Sequence, residues 1–135
     1  MTNEATLIIE TSVPISMTCS NTAGIEKGTI LTLSDPFTVA ATTARNAIVG
    51  GIAATEKINA DGKTKLATYR SGIFKVKVSG SVTVGDPLIT CSSVAPNTLE
   101  TAATNDENII GVALETGTDG ETILFELKPT TMQLA

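Results

Sequence analysis

The strongest pattern along the chain has a period of two. Phe74, Val76 and Val78 alternate with Lys75, Lys77 and Ser79, which puts apolar side chains on one face of a strand and polar ones on the other. Near the end the alternation returns, with Ile123, Phe125 and Leu127 set against Thr122, Glu126 and Lys128. Earlier, Thr29, Leu31 and Leu33 alternate with their neighbours until Ser34-Asp35-Pro36 stops the run. The stretch 37–56 is harder to read. Its alanines suit a helix, but Thr38, Val39, Thr42, Thr43, Ile48, Val49 and Ile52 are β-branched. Gly50-Gly51 would also cost a helix interior about 1 kcal/mol per glycine. Strands are therefore expected at Thr38–Ala41 and Ala47–Thr55, with a short helical turn around Thr42–Asn46. Further strands are expected at Lys63–Tyr69, Leu88–Cys91 and Asn108–Glu115, and Val82 and Val84 read as a continuation past Gly80. Ser92 to Glu107, polar and broken by Pro96 and Asn97, reads as a loop. Short strands at this density imply an all-β fold, a small barrel or sandwich.

Turn residues show that the strands come in two related sets. Gly28 and Gly85 lie 57 residues apart, Gly51 and Gly111 lie 60 apart, and Gly62 and Gly120 lie 58 apart. Each set also has an Asp-Gly pair, Asp61-Gly62 and Asp119-Gly120, of the kind favoured in hairpins. Gly85-Asp86-Pro87 turns into the strand at Leu88, and Asp86 is placed to cap that turn. A spacing this steady predicts one supersecondary unit used twice, over about residues 24–78 and 79–129. The chain of 135 residues fits a single β domain, residues 21–135, preceded by an extended arm, residues 1–20. Pro14 bars a long helix or a central strand in the arm. Two roles stay open for it: the first strand of the domain, or an arm that adds to a neighbour's sheet.

Composition narrows the chemistry. Aromatic residues are 3% of the chain, with no Trp, one Tyr and three Phe, so the core must be built from Val, Ile, Leu and Ala. The net charge is −5, with nine basic residues against fourteen acidic. Nucleic-acid binding needs clustered cations to displace counterions from phosphates, so no nucleic-acid partner is expected. The basic stretch from Lys63 to Lys77 reads as a solvated strand face. No run approaches the roughly 20 apolar residues needed to cross a bilayer. Residues 1–20 lack the basic start and apolar run of a secretion signal. Cys19 and Cys91 are therefore expected as buried small hydrophobes, reduced by default, with a Cys19–Cys91 bridge left open.

No constellation for catalysis emerges. The chain has no His, which removes the commonest general base and zinc ligand. Two isolated cysteines cannot make a structural zinc site. Gly50-Gly51 lacks the frame of a phosphate-binding loop. Asp106-Glu107, flanked by Asn105 and Asn108, lacks the spacing of a calcium loop and reads as solvated turn residues. No catalytic, metal or cofactor site is expected.

Several of these motifs, in their order and spacing, resemble the capsid decoration (cement) proteins of tailed bacteriophages. They are Gly28-Thr29-Ile30-Leu31, Gly72-Ile73-Phe74-Lys75-Val76, Val84-Gly85-Asp86-Pro87-Leu88, Ile109 to Glu115, and Gly120 to Leu127. Such a resemblance implies a β-clip or β-tulip-like domain, as in lambda-type head decoration proteins. It also implies a homotrimer at local three-fold positions on the outer surface of an icosahedral head, made in the host cytoplasm. There it would bind the major capsid protein and stabilise the shell. The arm lies outside the resemblance; its apolar residues Leu7, Ile8, Ile9, Val13 and Ile15 are the candidate capsid contacts. A fibre base or small β binding module is the alternative, although scarce aromatics argue against a sugar site. An enzyme on a β-clip fold is a more distant reading.

Overall fold

The computed structural model describes residues 4–42, 44–91, 97–103 and 106–131. Among them are eleven strands, β1 (Thr6–Ile9), β2 (Ile15–Thr18), β3 (Ile30–Ser34), β4 (Thr38–Ala41), β5 (Val49–Ala53), β6 (Lys65–Tyr69), β7 (Gly72–Val78), β8 (Pro87–Thr90), β9 (Thr98–Thr101), β10 (Asn108–Ala113) and β11 (Thr122–Thr131). The expected all-β fold in two related halves is what the structure shows, and each half is a closed five-stranded barrel. The halves divide between β6 and β7, however, not after residue 78, and β2 of the expected arm is an inner strand of the first barrel despite Pro14. The first barrel runs β2-β4-β3-β5-β6. The second runs β9-β7-β11-β10-β8, closed by the β7–β9 pairing, with β1 added on β7.

The two barrels share every pairing. The parallel contact Thr18↔Thr38 recurs as Lys77↔Thr98. Ile15↔Thr68 recurs as Phe74↔Phe125, and Ile52↔Tyr69 as Val112↔Glu126. Even the isolated bridge Ile25↔Lys57 has its counterpart in Val82↔Gly117. The repeated glycine of β5 and β10 has a steric cause. A Cβ on Gly51 would run into the carbonyl oxygen of Tyr69, and one on Gly111 into that of Glu126. Only glycine permits that approach of neighbouring strands.

Burial follows the same equivalence. The interior of the first barrel is Met17, Cys19, Ile25, Leu31, Val39, Ala53 and Leu66. Their counterparts by register, Val76, Val78, Val82, Leu88, Leu99, Ala113 and Ile123, fill the second barrel. That second cluster then continues through Phe74, Ile110, Phe125 and Leu127 to Ile30, Val49, Ile52, Ala54 and Tyr69 of the first barrel. Tyr69 meets Phe74 edge-on, with ring centroids 5.7 Å apart, a favoured aromatic geometry. The halves are thus joined by one continuous core.

Several sequence expectations need correction. The alternation of Thr29, Leu31 and Leu33 misses that β3 is covered on both faces: Leu31 points into its own barrel, while Ile30 packs toward the second. The polar stretch 92–107 contains a strand, β9, whose Leu99 is fully buried. Val82 makes only an isolated bridge, and Val84 is exposed outside any strand. Between β4 and β5 the chain turns at Arg45 and Asn46, Asn46 with φ of 55°, and no helical turn forms among the described residues. Thr43, Pro96, Asn105, Met132 and Leu134 lie outside the described residues.

Candidate interaction surface

The repeated turn residues sit at matching corners and hold backbone in place. Gly28 N–H donates to Ala53 O at 2.9 Å, and Gly85 N–H donates to Ala113 O at 2.8 Å. The Asp86 carboxylate accepts from Thr83 N–H at 2.9 Å and from the Thr101 hydroxyl at 3.1 Å, just before Pro87 opens β8. Neither Asp-Gly pair makes a two-residue hairpin, because the connections from β5 to β6 and from β10 to β11 are longer. Instead the Asp61 carboxylate accepts Lys63 N–H at 2.9 Å, and the Asp119 carboxylate accepts Gly80 N–H at 2.8 Å. Gly62 and Gly120 follow with φ near +85°. These residues shape the scaffold.

Residues 8–15 carry four of the exposed large apolar side chains. β1 pairs antiparallel with β7 through Thr6↔Lys75 and Leu7↔Phe74, and Leu7 packs against the large core. The segment after it is pinned along the β6–β7 corner. Tyr69 donates its hydroxyl to Glu10 at 2.9 Å, and Ser71 is hydrogen-bonded to both Thr11 and Ser12. The Glu10 carboxylate holds the Tyr69 phenol above its ordinary range, and burial adds to that. Then β2 enters the first barrel against β6. Of the two places open to this segment, the chain's own sheets take both strands. Its outward side chains remain uncovered: Ile8, Ile9, Val13 and Ile15 are between 44% and 76% exposed.

A polar latch spans the two halves, and no sequence pattern pointed to it. Arg45, in the β4–β5 connection, donates two parallel bonds to Asp106 at 2.9 and 2.8 Å and reaches Glu100 at 3.2 Å. Asp106 is therefore buried and paired, not a solvated turn residue. The Arg45 guanidinium, with help from Ala103 N–H, holds its carboxyl below the usual range. Asn46 bonds Asn108 twice at 3.0 Å, and Asn97 accepts Ile30 N–H at 2.9 Å. Arg70 also departs from the solvated face expected of it: it donates to Val49 O and Gly50 O, both at 3.0 Å.

Lys57 is the second residue that sequence reasoning missed. It is 3% exposed, and its ammonium donates to Asn21 O, Ile58 O and Asp61 Oδ1 at 3.1, 2.8 and 2.8 Å. All three ammonium protons thus have acceptors, and the bond from Lys57 lowers the Asp61 carboxyl. The one available signal was the Lys-x-x-x-Asp spacing, which is common on solvated surfaces too.

Among the described residues no group of three or more His, Cys, Asp or Glu gathers as a metal site. Neither cysteine is in a disulfide; Cys19 is buried, which pushes its thiol up, while Cys91 is only half-buried, contrary to expectation. A cleft of about 150 Å³ lies between the halves, lined by Leu33, Ile48, Val49, Arg70, Asn108, Ile109, Pro129 and Thr130. It contains no acid–base pair. The exposed apolar residues of β1, β2 and the segment between them are the candidate contact surface.

No protein-family model matches the chain, and no curated protein matches it. Among solved structures, the head fiber gp8.5 N base of bacteriophage phi29 is similar over 90% of this chain and 98% of that one. The TM-score is 0.55 and the sequence identity 17%. The two share a fold, an all-β scaffold of the two-barrel kind described above.

Proposed function

We propose that this chain is a structural component of a tailed-bacteriophage head, binding the outer surface of the capsid through its N-terminal segment and self-associating as a trimer. The fold shared with a phage head fiber base carries this reading. Ile8, Ile9, Val13 and Ile15, exposed along a segment pinned to the barrels, are the capsid-facing contacts. Contacts of moderate strength repeated around a symmetric shell hold by avidity, without a deep site on any one copy. The role is to brace the shell and calls for no catalysis or cofactor; the partners are the major capsid protein and other copies of the chain.

A second reading, that the chain is the base of a head fibre, is favoured by the same likeness, since the similar structure is a fibre base. The two readings differ in what they do to the shell. Cosedimentation with expanded, undecorated heads tests the first: wild type is expected to pellet with the heads, and Val13→Asp with Ile9→Asp to remain in the supernatant. A decorating protein should also raise the temperature at which heads release DNA, whereas a fibre base should bind and leave it unchanged. Wild type that fails to pellet contradicts both.

A further inference from the structure

The joint between the barrels is made of two unlike surfaces. The second barrel supplies inward side chains at one end of its strands, Phe74, Phe125 and Leu127, and the first supplies the outer wall residues Ile30, Ile52 and Tyr69. One barrel's wall closes its neighbour's end. Each barrel carries both kinds of surface, so one of each remains uncovered. On the second barrel the free wall, by register, is Pro87, Val112 and Leu114, counterparts of Ile30, Ile52 and Ala54. Leu114 is 40% exposed, and Val84 is exposed as well. On the first barrel the free end is rimmed by Phe37, the counterpart of Asn97. Phe37 is 52% exposed, and with Leu33 and Ile48 it lines an apolar recess of about 330 Å³.

We propose that a second copy of this chain docks head to tail, its wall around Leu114 covering the end around Phe37, so that the contact between copies repeats the contact within one. This deepens the self-association proposed above by naming its surfaces. Both free surfaces are apolar while exposed, which the internal joint explains. Where the internal joint has Tyr69 on the wall, the free wall has Glu126; where it has Leu127 at the end, the first barrel has Arg70, which is already bonded to Val49 O and Gly50 O. The backbone is already shaped for the contact: Phe37 has φ of 53° and Asn97 has φ of 56°. At the joint, Asn97 is the residue that accepts Ile30 N–H from the facing wall. A contact between unlike surfaces closes into a ring or runs on as a fibre.

Sedimentation velocity on the full chain tests this with two variants, Phe37→Asn and Leu114→Glu. Asn tolerates the left-handed backbone at residue 37, and both side chains are exposed, so unchanged melting temperatures are expected for both. Wild type should be oligomeric and each variant monomeric, with association weakened by about tenfold or more. An equimolar mixture of the two variants should form a one-to-one dimer, because one intact wall still meets one intact end. Wild type that stays monomeric overturns self-association altogether. An oligomer that survives both substitutions overturns only these surfaces, and a mixture that stays monomeric overturns the head-to-tail arrangement.

Discussion

The two barrels have one topology and are finished by different chemistry. At the Val49–Tyr69 end of the first barrel, Arg70 turns in and donates to the carbonyls of Val49 and Gly50. At the other end, Lys57 is held by two carbonyls and a carboxylate. In the second barrel the counterpart of Arg70 is Leu127, and the counterpart of Lys57 is Gly117, where a Cβ would run into Ile123. Phe74 and Phe125 close its end against the wall of the first barrel. Both ends of the first barrel thus hold a long cationic side chain whose head satisfies backbone acceptors. An end with a neighbour is closed by aromatic rings that bury their whole surface. Tyr69, Phe74 and Phe125, most of the chain's few aromatics, are accordingly spent at the joint.

This contrast can be broken most directly by truncating its largest element. Phe125→Ala should cost about 4 kcal/mol by denaturant unfolding, through lost burial and the cavity left behind. Its counterpart change, Thr68→Ala, removes one weak hydroxyl bond to Leu66 O and should cost about 1 kcal/mol or less. Equal losses would mean that the joint is no stronger than the solvent-facing end. Next in size, Lys57→Ala should cost about 3 kcal/mol, since it empties a buried position and leaves its acceptors unpaired. The melting temperature should fall by several degrees, and a shift within error would show that the ammonium plugs nothing.

Gly51→Ala and Gly111→Ala sharpen the comparison from the other side, because they test what the barrels share. Each should cost about 2 kcal/mol as the strands are forced apart, and the two losses should match; a loss at one position alone would limit the close approach to one barrel. The smallest effect is at the latch. Arg45→Ala should cost about 1–2 kcal/mol, since Arg45 is partly exposed although Asp106 is buried. The lowered Asp106 carboxyl also fixes a sign. Its contribution is fully present above the ordinary carboxylate value, about pH 4, and is lost as the pH falls through the lower folded value. Wild type should therefore lose stability on acidification below about pH 4 more steeply than Arg45→Ala. Parallel acid profiles would remove Asp106 from the latch.

What the sequence made legible was the local part of this arrangement. Phe74, Val76 and Val78 were expected inside and are buried, as are Ile123, Phe125 and Leu127. β4 falls at Thr38–Ala41 as expected, and the spacing of the glycines carries the two-fold repeat. Strand β9 was hidden because Thr98-Leu99-Glu100-Thr101 has one large apolar residue; it is a strand because the counterpart of Val39 must fill the second barrel and pair in parallel with β7. Lys57, Arg45 and Asp106 were hidden for a related reason. A charged residue in a turn reads as solvated unless its partner is visible, and Arg45 and Asp106 lie 61 residues apart. Long-range pairing is the information that periodicity leaves out. The surface residues Ile9, Val13 and Ile15 were legible as apolar, but only the pinned path of the chain shows them turned outward.

Electron cryomicroscopy of expanded phage heads, with and without added protein, tests the central claim most directly. The account predicts two-lobed density on the outer face of the shell, with the corner that carries Ile9, Val13 and Ile15 against the capsid. Shells identical with and without the protein, or bound copies with that corner turned to solvent, would contradict it.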